Sequence, residues 1–377
     1  MTNYLQHRKQ CVVIGGVHSE TRNVTSGVPQ GSILGPLLFV IFINDMFSCV
    51  SEGTNIMLYA DDTKIWRRIE SWNDHLILQH DINMLFEWSN INKMKFHPQK
   101  CSVLTVEQNA RPDAIWNVFP FQNFFYFLND NILEYADNEK DLGIIVNRCL
   151  NWDEHILKLI LKASSRLGLI RRTLFFVKDE KQKRVFYLTL VRSLFEHCSV
   201  IWRPTTMQMI SKFESIQKRA VKWILCEEGH HYNDFEYLKR LKELDILPME
   251  YKFAYTDLIE FHKIHHKKSV VKIPQYLTPY TDSDRSRLRT RIRHPNHYNC
   301  SLSSDGSNLS QIRSNRYDAS SLKCTIEAPT PVFKKSFFFR THLRWNELPS
   351  ILKNVNETDA FAQKLKHYMW DIILDPH

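Results

Sequence analysis

Asp61 and Asp62 stand side by side behind Tyr59 and Ala60, with Ile56-Met57-Leu58 leading in and Lys64-Ile65-Trp66 leading out. Two short apolar strands around an acid pair predict a hairpin whose turn presents two carboxylates. Such oxygens suit small, hard divalent cations of the magnesium type. Two of these cations, about 4 Å apart, would activate an attacking hydroxyl and hold a triphosphate, which is the chemistry of nucleotidyl transfer. An Asp-Asp pair alone is a weak signal, because most are solvated turns. The segment from Gly27 to Asp45 is more specific. Gly27 and Gly31 bracket Pro29-Gln30 in a turn that lets backbone approach a ligand closely, and Ser32 is placed to cap the helix that follows. The Gln30 amide offers both a donor and an acceptor to a nucleotide or template edge. Standing alone, this segment also reads as a structural turn before a buried helix.

The elements that must hold these groups follow from pattern. Six of the ten glycines (15, 16, 27, 31, 35 and 53) fall before residue 54, so turns concentrate at the front. Val12-Val13-Ile14, Gly15-Gly16 and Val17 onward predict a hairpin delivering a strand into the Ser26–Ser32 loop. An amphipathic helix is predicted from Asn73 to Asn92, with Ile77, Met84, Leu85, Trp88 and Ile91 inward. Residues 126–133, with Asn129-Asp130-Asn131 at the tip, predict a second hairpin. Beyond residue 150 the pattern is helical. Asp153 is expected to cap a helix whose inner face is Ile156, Leu159, Ile160, Ala163, Leu167 and Ile170. Asp179 to Gln182 has capping-box spacing before a helix over Val185–Trp202. Further helices are predicted over Met207–Leu225 and Met249–His266, and Thr358 caps a last one carrying Phe361, Leu365, Tyr368 and Ile372 inward. Residues 299–321, rich in Ser, Asn and Gly, read as a flexible loop.

Bulk properties bound the function class. The 377 residues suffice for two domains or three small ones, and 43% apolar with 12% aromatic content describes a folded protein. A formal charge of +9 points to a polyanionic partner, nucleic acid before membrane. Eight cysteines without a CxxC read as reduced thiols in an intracellular protein. Val12-Val13-Ile14 is too short for a signal-peptide core, and Ile33–Ile43, interrupted by Gly35-Pro36, is too short to span a bilayer. The expectation is a protein of nucleus or cytoplasm with no membrane and no secretory route.

The two motifs in series carry a resemblance. Ser26-Gly27-Val28-Pro29-Gln30-Gly31-Ser32, Leu34-Gly35-Pro36-Leu37-Leu38-Phe39, Ile43-Asn44-Asp45 and then Tyr59-Ala60-Asp61-Asp62 closely resemble the reverse transcriptases of non-LTR retrotransposons, the jockey-like kind above all. The likeness continues through Glu87-Trp88-Ser89, Lys100-Cys101-Ser102, Lys140-Asp141-Leu142-Gly143-Ile144 and Leu150-Asn151-Trp152-Asp153. It extends to Val191-Arg192-Ser193, Val200-Ile201-Trp202 with Pro204, Gln217-Lys218-Arg219-Ala220, and Phe339-Arg340 with Trp345-Asn346-Glu347-Leu348-Pro349. The resemblance implies an α+β fold. Residues 1–150 would be a partial palm, an antiparallel sheet with helices. Residues 151–270 would be a mainly α-helical thumb, and 271–377 a basic C-terminal region. It implies Asp61 and Asp62 as the catalytic, metal-binding pair, with Mg2+ as cofactor. Gly27, Gln30, Gly31 and Tyr59 would shape the nucleotide and template site. RNA template, DNA primer and dNTP would be the ligands. Lys158, Lys162, Arg166, Arg171 and Arg172 would meet the duplex backbone.

One departure limits the inference. In this family a palm motif with a first catalytic aspartate precedes the Gly27–Ser32 loop, and here only the Gln10–Val24 hairpin and its approach stand before it. The expectation is an N-terminally truncated polymerase fragment without activity of its own, since losing one ligand of a two-cation clamp removes charge stabilisation that phosphoryl transfer needs. The alternatives are a catalytically inert nucleic-acid-binding remnant and a decayed copy without a stable fold. Asp45, at a helix end, reads as structural. Arg285, Arg287, Arg289, Arg291 and Arg293 alternate as in a strand with five guanidinium groups on one face, a phosphate-binding stripe. The competing reading is a charged edge strand that resists aggregation. His262, His265 and His266 with Cys300 and Cys324 have no zinc-finger spacing, so no zinc is expected. Oligomeric state is left open.

Overall fold

A computed structural model describes residues 2–106, 124–279, 322–324 and 331–374. The arginine stripe at 285–293 and the loop expected over 299–321 lie outside the described residues. The chain forms two compact units, residues 1–105 with 111–136, and residues 137–377 with 106–110.

The first unit opens with α1 (Thr2–Leu5) and two nested hairpins. The strand pair β1 (Lys9–Gln10) and β4 (Arg22–Asn23) encloses β2 (Val13–Ile14) and β3 (Val17–His18), all antiparallel. Gly15 and Gly16, with φ of +56° and +83°, supply the double left-handed turn that a two-residue hairpin loop demands. Helix α2 (Leu34–Ile43) runs into a tight turn over Asn44–Cys49. Strands β5 (Thr54–Tyr59) and β6 (Asp62–Arg67) pair along their full length. Helix α3 (Trp72–Ile91) is held by a capping box between Ser71 and Asp74. Then come β7 (Ser102–Val103), β8 (Phe127–Leu128), β9 (Asn131–Ile132) and β10 (Glu134–Tyr135). β8 and β9 form the expected hairpin, with Asn129 at φ +54°, while β7 and β10 pair in parallel.

Two small cores hold this unit. Ile43, Met46, Leu85 and Trp88 form one, joined by Phe39 of α2 and by Ile56, Leu58 and Ile65 of the β5–β6 hairpin. Ile82, Tyr126, Leu128 and Leu133 form the other. The inward face of α3 therefore differs from its sequence pattern. Ile82 is buried, Ile77 and Met84 are half-buried, and Ile91, at the fraying last turn, is 79% exposed. A single antiparallel sheet is not assembled either, since among the described residues every ladder has two strands and one of them is parallel.

The second unit begins with β11 (Asn138–Asp141) and β12 (Ile144–Asn147), an antiparallel pair. Helix α4 (Asp153–Thr173) follows. Asp153 is its first residue rather than its cap; the side chain of Asn151 accepts the Asp153 N–H at 2.9 Å instead. Asp179 caps α5 (Glu180–Tyr187) by accepting the Lys181 N–H at 2.8 Å. The long helix expected to reach Trp202 is interrupted. A π turn over Leu188–Arg192 leads into α6 (Ser193–Glu196), Cys198 takes φ +51°, and α7 (Ser199–Trp202) starts afresh. The Trp202 indole explains the break, because its N–H reaches back to the His197 carbonyl at 2.8 Å and places the ring in the core.

Helix α8 (Met207–Ile224) is capped by Thr206, and α9 (Asp234–Glu243) by an Asn233–Glu236 capping box. Helix α10 (Met249–His265), the pair β13 (Leu277–Pro279) and β14 (Leu322–Cys324), and helices α11 (Pro331–Lys335), α12 (Phe337–Glu347), α13 (Ser350–Lys353) and α14 (Thr358–Leu374) complete the unit. One continuous core runs through it, from Ile156, Ala163 and Leu167 of α4 to Trp345 of α12 and Phe361 and Leu365 of α14. In α14 it is Ile373 that is buried, with Ile372 and Tyr368 only half-buried.

Candidate active site

The β5–β6 hairpin alternates strictly. Ile56, Leu58, Thr63, Ile65 and Arg67 turn inward, while Met57, Tyr59, Asp62, Lys64 and Trp66 turn out. The inward side is seated on the Trp88 core, and Thr63 Oγ1 donates to Met46 Sδ at 3.8 Å. At the far end Arg67 ties down the hairpin base. It donates to the Glu52 carbonyl at 2.9 Å, to Thr54 Oγ1 at 3.1 Å and to Asp74 at 3.2 Å. The Ser71 hydroxyl and the Glu70 backbone N–H hold the Asp74 carboxyl down at about 2, so it stays an anion under all ordinary conditions.

Tyr59 pairs with Asp62, leaving Ala60 and Asp61 as the two-residue turn. Ala60 takes φ +52°, a conformation in which a residue with a Cβ is uncommon. Asp61 thus sits in the turn and Asp62 is the first residue of β6. Both carboxylates are exposed. Tyr59, next to them, is 67% exposed.

The Gly27–Ser32 loop is built to keep its shape. Gly27 and Gly31 have φ of +76° and +80°. The Ser32 hydroxyl donates to the Pro29 carbonyl at 2.7 Å and accepts the Gly35 N–H at 3.1 Å, closing the loop onto the start of α2. A Cβ at Gly35 would lie 2.9 Å from Ser32 Oγ and 3.2 Å from the Pro29 carbonyl oxygen, so this glycine is required by contact. Arg8 donates to the carbonyls of Ser26, at 3.2 Å, and of Gly27. Gln30 is exposed at the tip. Loop and hairpin are brought onto one core, because Phe39 and Ile43 of α2 pack with Ile56, Leu58 and Ile65.

Asp45 is structural, since its carboxylate accepts the Trp88 indole N–H at 3.0 Å. Among the described residues no three His, Cys, Asp or Glu side chains come together as a metal-binding group.

The five basic residues of α4 lie in the second unit. Lys158, Lys162, Arg166 and Arg172 are exposed, and Arg171 is half-buried. Lys158 pairs with Glu154 at 2.6 Å and Arg171 with Glu228 at 2.8 Å, while Arg166 donates to the Leu190 carbonyl at 3.2 Å. These are surface contacts of the kind that exchange readily for another anion.

Sequence reading missed two buried polar centres in this unit. Gln217 Oε1 accepts from Tyr187 at 3.1 Å and Arg192 at 2.9 Å, and Gln217 Nε2 donates to Glu214 at 3.0 Å, so the π turn and α8 are joined inside the core. Asp257, 1% exposed, binds Arg203 at 2.8 Å and Arg340 at 3.0 Å. The segments around Trp202 and Arg340 were legible as family-like, but nothing in either says that they meet.

Among the described residues no helix is long and apolar enough to cross a membrane. The family model described as reverse transcriptase (RNA-dependent DNA polymerase) matches residues 2–188. The RNA-directed DNA polymerase from mobile element jockey of Drosophila melanogaster is 27% identical over 42% of this chain and 17% of its own length. Its counterpart in Drosophila funebris is 29% identical over 42% of this chain and 17% of its own. The probable RNA-directed DNA polymerase from transposon BS of Drosophila melanogaster is 25% identical over 59% of this chain and 25% of its own. The chain thus spans about a sixth to a quarter of the length of these curated relatives. No solved structure matches. With the Gly27–Ser32 loop and the Tyr59–Asp62 turn hung on one core, residues 2–188 match the reverse transcriptase family, and the chain is similar to the RNA-directed DNA polymerases of jockey-like non-LTR elements.

Proposed function

We propose that this chain is a segment of an RNA-directed DNA polymerase in which Asp61 and Asp62 supply carboxylates to a Mg2+ site. Residues 1–150 serve as part of the palm, 151–270 as the thumb, and 271–377 as a basic C-terminal region. One observation supports this above others: adjacent exposed carboxylates stand at the tip of a hairpin clamped to the same core as the helix that follows the Gly27–Ser32 loop. Gly27 and Gly31 let backbone come close to the incoming nucleotide, and Gln30 and Tyr59 border the template. Lys158, Lys162, Arg166, Arg171 and Arg172 contact primer–template phosphates, with Arg285, Arg287, Arg289, Arg291 and Arg293 as a second stripe.

Two carboxylates without a third donor do not complete the cation site, so the 377 residues alone grip nucleic acid without extending it. The test is templated dNTP incorporation with Mg2+, run beside primer–template binding at two salt concentrations, with Asp61→Ala/Asp62→Ala as control. Binding that weakens with salt and no incorporation is expected. Incorporation that disappears in the control would overturn the inactivity and point to another carboxylate completing the site.

A further inference from the structure

Lys183 projects from α5 into the second unit and is 4% exposed. Its ammonium donates to the Trp223 carbonyl at 2.9 Å and stands 3.0 Å from Cys226 Sγ. It also lies 5.4 Å from the centroid of the Trp223 ring. No carboxylate among the described residues pairs with it. The two acids that follow Cys226 are committed elsewhere, Glu227 to Arg240 at 2.6 Å and Glu228 to Arg171 at 2.8 Å. A buried ammonium ordinarily has an anionic partner, so an enclosed lysine aimed at a sulfur is an unusual placement.

Cys226 itself is exposed. It sits just past the end of α8 at φ +59°, with its N–H donating to the Trp223 carbonyl at 3.4 Å, so its backbone is fixed. An oxidant can therefore reach the sulfur from solvent while the amine is held against it from inside. Among the described residues no other thiol is given a lysine partner. Cys11 and Cys198 face imidazoles, His18 at 3.8 Å and His197 at 3.7 Å. Burial pushes the thiols of Cys49, Cys101 and Cys198 up, which makes them poorer nucleophiles.

We propose that Cys226 and Lys183 form an oxidation site that closes into a covalent bridge when a hydroperoxide attacks. The Cys226 sulfur takes one oxygen from the peroxide, the O–O bond breaks, and the thiol becomes a sulfenic acid with release of the alcohol, which is water when the oxidant is hydrogen peroxide. Lys183 Nζ, having given one ammonium proton to solvent, then attacks that sulfur. The S–N bond forms, and the sulfenic hydroxyl leaves as water with a second proton from the nitrogen. The capture parallels the condensation of a sulfenic acid with a backbone nitrogen. It is fast here because the nucleophile is already in contact and cannot swing away. The bridge ties α5 to the end of α8 inside the second unit and is reversed by thiol reductants.

The experiment treats the intact 377-residue protein with graded hydrogen peroxide, digests it without reduction and reads peptides by mass spectrometry. A cross-linked pair containing Lys183 and Cys226, lighter than the two free peptides by two hydrogens and lost on reduction, is expected at doses that leave Cys49 and Cys101 unchanged. In Lys183→Arg, which keeps the charge but cannot form the bridge, Cys226 sulfenic acid should instead be trapped by dimedone. Trapping of Cys226 in the wild-type protein as complete as in the variant, oxidation onward to sulfinic acid without a cross-link, or pairing of Cys226 with another cysteine would each overturn the proposal. The decisive reading is on the wild-type protein, so a variant that fails to fold leaves it standing or falling on its own.

Discussion

Asp257 faces two guanidinium groups from segments far apart in the chain, Arg203 beyond α7 and Arg340 in α12. Burial, with the nearby Arg344 charge, pulls Arg203 down to about 10 in spite of Asp257, so it remains a cation at neutral pH and needs its partner. Asp257→Asn should therefore destabilise the second unit by about 3–5 kcal/mol, because two buried guanidinium groups lose their anion. Urea unfolding followed by tryptophan fluorescence would read it, and a loss of under about 1 kcal/mol would mean that solvent reaches the cluster. Gly35 makes a similar argument in the first unit. Gly35→Ala pushes a methyl against Ser32 Oγ and the Pro29 carbonyl, with an expected cost of about 1–3 kcal/mol. Amide exchange should quicken across residues 27–35 in that variant while staying unchanged in α3.

Among the elements, α9 was absent from the sequence reading although Asn233-Asp234-Phe235-Glu236 spells a capping box. Tyr237 and Leu241 stand four residues apart on its buried face, so both the cap and a short 3.6-residue period were there to be read, over only ten residues. Asn233 Oδ1 accepts the Glu236 N–H at 2.8 Å, and Asn233→Ala should cost about 1 kcal/mol in a urea melt. The end of α10 offers a pH test. His262 stacks on Phe361 of α14 with centroids 4.2 Å apart, and its Nε2 donates to the Val355 carbonyl at 2.6 Å. Burial pushes His262 down, and likewise His155 and His342. All three are neutral when folded and titrate at higher pH once unfolded, so their contribution is complete above about 6.5 and is lost as pH falls below it towards their lowered folded values. The urea midpoint of the second unit should drop between pH 7 and 5.5, and His262→Gln should reduce the drop. A midpoint flat across that range would refute the assignment.

At the scale of the whole molecule the two units differ in what they bury. The second has one continuous core, whereas each core of the first centres on four buried side chains. The first leaves Ile33, Leu37, Val40, Ile41, Met57 and Tyr59 exposed, from 56% for Leu37 to 95% for Ile33. Residues 137–377 produced alone should melt cooperatively, while residues 1–136 alone should bind an apolar dye and succumb early to protease. Equal protease resistance of the two pieces would contradict this. Much of this layout was readable in advance: the β5–β6 and 126–133 hairpins, α3, α4, α8, α10 and α14 lie where turn residues, caps and 3.6-residue periodicity put them. The interruption at Cys198 was not readable, because Val185–Trp202 is apolar enough to run on as one helix. What breaks it is a distant demand, the fit of the Trp202 ring into the core.

The sequence by itself determined the family resemblance, the acid pair, the loop with its left-handed glycines and most helix boundaries. Each depends on residues close together in the chain, where backbone sterics and side-chain period act locally. Tertiary structure decided the rest. It placed α2 and the acidic hairpin on one core, gave Asp45 to Trp88, closed Arg203 and Arg340 around Asp257, and set Lys183 against Cys226. Those pairings join residues up to 83 positions apart, and only packing brings such groups within the few ångströms over which hydrogen bonds and buried charges act.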